Sequence, residues 1–357
     1  MAIVEIMKAL KNTFKMIGFL IAIFTVILIV ISFIPAKTDK IDGEHAISSL
    51  ESVSIGNIEQ WLTIRSEDSS NPILLYLHGG PGMGYIPFGS DFNSLIEKHF
   101  VVVHWDQRGA GKTCGSETPS SSLNLEEYLS DTLEIVNYLR QRFNKRKIYL
   151  VGHSWGSILG VQIVKEHPEL FHAYVGLGQV VDMNRGEIIS HRFVLDKAIE
   201  ENNQDAITEL QKLKPPYKSI EELMLQRQWL GHYAGDRLSG DSVAKILKGV
   251  FSASEYTLSE KIAYYGCVMN SLESVWQDLQ AINFTNSIQS FELPVYFFAG
   301  RHDYNTPSIL VEKWINNIQA PRAELVWFEN SAHYISSEEP IKFQQVLINK
   351  LLIEIKE

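Results

Sequence analysis

Residues 149–160 read YLVGHSWGSILG, and their centre, Gly152-His153-Ser154-Trp155-Gly156, fits the pattern G-x-S-x-G. The chemistry such a pattern can serve is attack on a carbonyl by the serine hydroxyl. A serine is a weak nucleophile near neutral pH. It needs a base to take its proton and an acid to orient that base. Two later stretches offer them in the order Ser, Asp, His. VYFFAGRHDYNTP places Asp303 after one apolar run, and LVWFENSAHYIS places His333 after the last. The developing oxyanion needs donors. One is the backbone N–H of Trp155, just after the serine. HGGPG, residues 78–82, offers the second from Gly80, with Gly79 as the fallback, because glycine lets a backbone N–H approach a substrate closely. Singly, these residues are also a glycine turn, a loop aspartate and a loop histidine. Their joint order is what points to catalysis.

Such groups must be held at strand ends. PILLYLH (72–78), FVVVHW (100–105), KIYLVGH (147–153) and AYVGLG (173–178) are near-continuous apolar runs, as expected of strands buried on both faces of a parallel sheet. LNLEEYLSDTLEIVNYLRQRF and GSILGVQIVKEHP carry apolar residues at helical spacing between them. SSLESVSI and IEQWLTIRS alternate and predict an antiparallel pair joined at Gly56-Asn57. The strand rhythm stops after Val181, and residues 182–290 read as helices. It resumes with LPVYFFAG (293–300) and ELVWFE (324–329), followed by a last helix. The expectation is an α/β fold with a mostly parallel sheet, helices on both faces, a core of residues 47–181 and 291–357, and a helical cap over 182–290. Ser154 then sits at a sharp strand-to-helix turn, at the positive end of a helix.

Composition narrows the function. Of 357 residues 45% are hydrophobic and 21% charged, so a packed core is expected rather than disorder. The 32 basic and 42 acidic residues leave a net charge of −10, which argues against a nucleic-acid partner. GAGKT, residues 109–113, resembles the end of a phosphate-binding loop, but Asp106 stands where that loop requires glycine. No His-x-x-x-His or His-Glu-x-x-His pair occurs among the 11 histidines, so no metal is expected, and no cofactor. Two cysteines, Cys114 and Cys267, make neither a disulfide framework nor a zinc site, and a bridge between them is not expected.

The N-terminus departs from this composition. Met16 to Ile34 is 19 residues without a charge, long enough as a helix to span a bilayer core and longer than the apolar part of a signal peptide. Lys8, Lys11 and Lys15 precede it. The expectation is a cytoplasmic segment (1–15), a transmembrane anchor (16–34), a polar linker (36–46) and a catalytic domain outside the cytoplasm, at the cell membrane.

Taken together, HGGPG, WDQRGAGKT, GHSWGS, GRHDYNTP and SAHY resemble the proline iminopeptidase-like branch of the α/β-hydrolases, over roughly residues 48–357. The resemblance implies a nucleophile, acid and base at Ser154, Asp303 and His333. It implies oxyanion donors at Gly80 and Trp155, and a cap at 182–290 whose carboxylates hold a substrate's free amine. Cap acids such as Glu187, Glu200, Glu201, Glu221 and Glu222 match no amine-binding motif, and His153 stands where the family often has glycine. The reading is a serine hydrolase that cleaves the N-terminal amide of a small peptide. The alternatives are an esterase or lipase-like ester hydrolase, and a non-catalytic hydrolase-fold interaction module.

Overall fold

The computed structural model describes residues 7, 10–23, 35–115, 118–240 and 242–353. Eight strands form one sheet: β1 (Ile47–Ile55), β2 (Ile58–Ser66), β3 (Ile73–Leu77), β4 (Val101–Asp106), β5 (Ile148–His153), β6 (Phe171–Leu177), β7 (Val295–Gly300) and β8 (Ala323–Phe328). Their order is β1-β2-β4-β3-β5-β6-β7-β8. β1 and β2 are antiparallel, β2 pairs antiparallel with β4, and all later pairings are parallel. The β1–β2 loop is the two residues Gly56 and Asn57, both at positive φ, the backbone that matches strand twist in a tight hairpin.

Side chains of β3 alternate between two cores, as a strand's two-residue period demands. Leu75 and Leu77 join Ile135 and Leu139 of α1 (Leu125–Arg142) and Ile158 and Val161 of α2 (Trp155–Glu166). Leu74 and Tyr76 face the other side, which is closed by the last helix through Phe343, Leu347 and Leu351. Burial on both faces is why these strands read as unbroken apolar runs.

Between β6 and β7 the chain runs through α3 (Met183–Glu200), α4 (Gln204–Leu210), α5 (Ile220–His232), α6 (Ser242–Ser252), α7 (Leu258–Ser274) and α8 (Trp276–Gln280). Side-chain caps start several of them: Asp182 for α3, Ser219 for α5, and a Thr257–Glu260 capping box for α7. The insertion leaves and re-enters the core at one place. Met183 N–H donates to Ile282 O at 3.1 Å, and Phe284 N–H to Val181 O at 2.7 Å.

Two expectations are corrected. Among the described residues no helix is long and apolar enough to cross a membrane. The anchor at 16–34, and the cell-membrane location built on it, therefore do not stand. Residues 24–34 of that anchor, and 1–6, 8 and 9 of the segment before it, lie outside the described residues. Second, Cys114 and Cys267 are bonded. They are 153 positions apart, and only the docking of α7 on the loop after β4 brings them together.

Candidate active site

Ser154 caps α2 with φ 52 and ψ −118, a backbone rarely adopted outside glycine, and its strain is consistent with a sharp turn. Close packing permits that turn only with glycine at 156, where a Cβ would run into the carbonyl oxygen of Leu77. The N–H of Trp155, first in α2, has no acceptor within its own helix.

Asp303 and His333 meet, although 30 positions separate them. Nδ1 of His333 lies 2.8 Å from Oδ2 of Asp303, with both side chains buried. Oδ1 of Asp303 accepts the backbone N–H groups of Asn305 and Thr306, each at 2.9 Å. These bonds aim the carboxylate. Nδ1 of His333 then carries the proton it donates, and Nε2 is left to accept one. The Thr306 hydroxyl stands 2.9 Å from Oδ2 of Asp303 and 3.0 Å from Gly178 O. Gly178, at φ +49, makes room for the imidazole: a Cβ there would sit 2.8 Å from Cε1 and Nδ1 of His333. Neither Thr306 nor Gly178 stood out in the sequence. Their signals were an ordinary loop threonine and a glycine ending a strand.

The HGGPG and WDQRG segments interlock beneath the serine. Gln107 N–H donates to Nε2 of His78 at 3.1 Å, and Nδ1 of His78 donates to Gly79 O at 2.8 Å. Burial depresses the His78 pKa to about 4, so the ring stays neutral and can make both bonds. The Trp155 indole donates to Oε1 of Gln107 at 3.0 Å. Arg108 holds Asp131 through two bonds of 2.6 and 2.7 Å. The loop is thereby braced, with Gly80 in a left-handed conformation at φ +112.

Gly80, Ser154 and Trp155 line one cavity of about 1210 Å³ that reaches under the helical insertion. Gly79 is not among its lining residues; its carbonyl accepts from Met83 N–H as well as His78. The walls are largely apolar, with Met83, Leu223, Ile246, Val268, Met269 and Trp276 prominent. Of the five cap acids noted from sequence, Glu187 lines the cavity, and Glu200, Glu201, Glu221 and Glu222 do not. Glu187 is buried and bonded to Arg227 at 2.6 Å. Asp205 and Asp236 also line the cavity. Oδ1 of Asp236 is buried and has no hydrogen-bond partner among the described residues. Among those residues no His, Cys, Asp and Glu cluster fit to hold a metal occurs.

A family model described as alpha/beta hydrolase fold matches residues 72–205. The chain is 30% identical over 312 residues to the probable aminopeptidase YbaC of Bacillus subtilis, covering 86% of this chain and 97% of that one. The chain belongs to the α/β-hydrolases, in their proline iminopeptidase-like branch. A proline iminopeptidase of Clostridium botulinum is 25% identical over 280 residues, covering 78% of this chain and 89% of that protein. The crystal structure of the Mycobacterium smegmatis proline iminopeptidase superimposes with a TM-score of 0.62 at 19% identity, covering 86% of this chain and 98% of that one. At that identity the superposition speaks for the α/β-hydrolase fold alone. This α/β-hydrolase is thus a hydrolase of the aminopeptidase-like kind.

Proposed function

We propose that this α/β-hydrolase is a serine hydrolase that cleaves the N-terminal amide of a small peptide through an acyl-enzyme. The buried Asp303–His333 hydrogen bond, together with a strained serine at a helix N-terminus whose neighbour His153 places its ring 4.7 Å from that of His333, supports the reading. Nε2 of His333 takes the Ser154 proton as Oγ attacks the carbonyl. Asp303 stabilises the imidazolium that forms. The N–H groups of Gly80 and Trp155 receive the oxyanion, each such donor being worth about 2.7–4 kcal/mol in the transition state. His333 then gives the proton to the leaving amine, and water resolves the ester by the reverse proton path.

The names of the relatives favour an amine-bearing peptide as substrate. Oδ1 of Asp236, without a hydrogen-bond partner among the described residues, supports it, because a substrate ammonium would satisfy a buried carboxylate oxygen. Glu187 is less suited, since Arg227 already neutralises it. The apolar walls favour a second reading, an ester with a bulky acyl group. Labelling with a fluorophosphonate probe tests the mechanism: wild type labels and Ser154→Ala does not. Full labelling of the alanine variant would sink it. Turnover of a proline arylamide against short acyl esters separates the two substrate readings.

A further inference from the structure

His153, one residue before the proposed nucleophile, is fully enclosed and touches two other loops of the site. Its Nε2 lies 3.0 Å from the backbone carbonyl of His333. Its Nδ1 lies 2.5 Å from the hydroxyl of Tyr85, in the loop that also carries Gly80. A carbonyl can only accept, so Nε2 bears the proton and donates it. Nδ1 is then bare and accepts from Tyr85. Burial pushes the His153 pKa well below its ordinary value and that of Tyr85 upward, so one stays neutral and the other protonated. The two rings stack at 5.6 Å, and the His153 and His333 rings lie 4.7 Å apart.

We propose that His153 is a positioning residue for the base: it donates to the backbone of His333 and, through Tyr85, locks the base loop to the loop bearing the second oxyanion donor. The inference rests on the reading of Ser154 and His333 as nucleophile and base. The His333 backbone is held on its other side too, its N–H donating to Asp236 O at 2.9 Å. Asp303 fixes the ring. Removing the His153 donor leaves the His333 carbonyl buried and unpaired, with the ring free to pivot about its remaining contacts. Glycine at 79 belongs to the same arrangement, since a Cβ there would stand 3.0 Å from Nδ1 of His153. His153 does not move a proton. It decides where His333 waits for one.

The test is saturation labelling with a fluorophosphonate probe, alongside melting temperature. In His153→Leu the maximal labelling rate falls about a hundredfold while the half-saturating probe concentration stays within about twofold, as displacement of a reacting group by ~1 Å would give. His153→Gln keeps an N–H near the place of Nε2 and recovers to within about tenfold of wild type. Tyr85→Phe, which removes one oxygen, loses about tenfold and covers the case in which the leucine variant does not fold. A folded His153→Leu or Tyr85→Phe that labels at the wild-type rate overturns the positioning role, even if it melts earlier. So does a His153→Gln that is no better than the leucine variant. A folded wild type that does not label overturns the hydrolase mechanism itself, and the positioning role with it.

Discussion

Cys114, in the loop after β4, is bonded to Cys267 on α7, so a wall of the substrate cavity is tied to the sheet. The same helix is held by the Lys112–Glu260 ion pair at 2.9 Å and by Ser271, whose hydroxyl donates to Gly109 O at 3.0 Å. Reduction should therefore weaken the fold without releasing the insertion. We expect Cys267→Ser to lower unfolding free energy by about 2–5 kcal/mol, the usual effect of losing a long-loop disulfide. Urea unfolding with and without reductant checks this. Wild type should shift to the variant's midpoint when reduced, and the variant should not shift at all.

Asp303→Asn keeps the size of the side chain and loses the charge. The amide can present a donor to Nδ1 and so favour the wrong imidazole tautomer. Turnover should fall by about 10⁴, the size of effect known for the equivalent change in serine triads. The melting temperature should move by only a few degrees. A loss below about tenfold in a folded variant would remove Asp303 from the mechanism.

Gly178→Ala places a methyl against the His333 ring and puts alanine at φ +49. The backbone term costs about 1–2 kcal/mol. Displacement of the ring should lower the labelling rate about a hundredfold. A rate loss much larger than the accompanying stability loss would mark the base as the casualty.

Asp106 closes β4 and accepts from the Tyr256 hydroxyl at 2.6 Å and Lys112 N–H at 2.9 Å. Burial outweighs these bonds and raises its pKa from 3.8 to about 7. The folded state thus binds this proton more tightly than the unfolded chain. Its contribution is full below about pH 4 and is lost as pH rises to about 7, an effect on the order of a few kcal/mol. Asp106→Asn should remove that part of the slope. Urea unfolding at pH 5 and pH 8 measures it: wild type loses more stability between them than the variant.

Asp236→Asn removes the cavity carboxylate whose Oδ1 has no hydrogen-bond partner among the described residues. Turnover of a proline arylamide should show a KM raised about tenfold, with esters lacking an amine unaffected. Equal effects on both would assign Asp236 to the loop of His333 alone, since its carbonyl accepts from that backbone.

Local pattern was enough for much of this protein. Strands buried on both faces must be apolar at every position, so β3, β4, β5 and β7 were visible as runs. Gly56-Asn57 announced the β1–β2 hairpin, because few residue pairs tolerate two positive φ angles. The strand-to-helix turn at Ser154 was legible from its glycines, and the positions of Asp303 and His333 after late strands from the apolar runs before them. Hydropathy misled at the N-terminus. It reports composition in a window, and among the described residues no helix is long and apolar enough to cross a membrane.

Tertiary structure decided what depends on the meeting of distant segments. Helical periodicity shows that a helix has a buried face, not which element covers it. Glu187 could therefore not be told from the other cap acids, although it alone among those five lines the cavity and is paired with Arg227. The bond between Cys114 and Cys267, the room that Gly178 leaves for His333, and the reach of His153 to Tyr85 and His333 share this origin. Each is a contact between segments whose separation in the chain carries no trace of their separation in space.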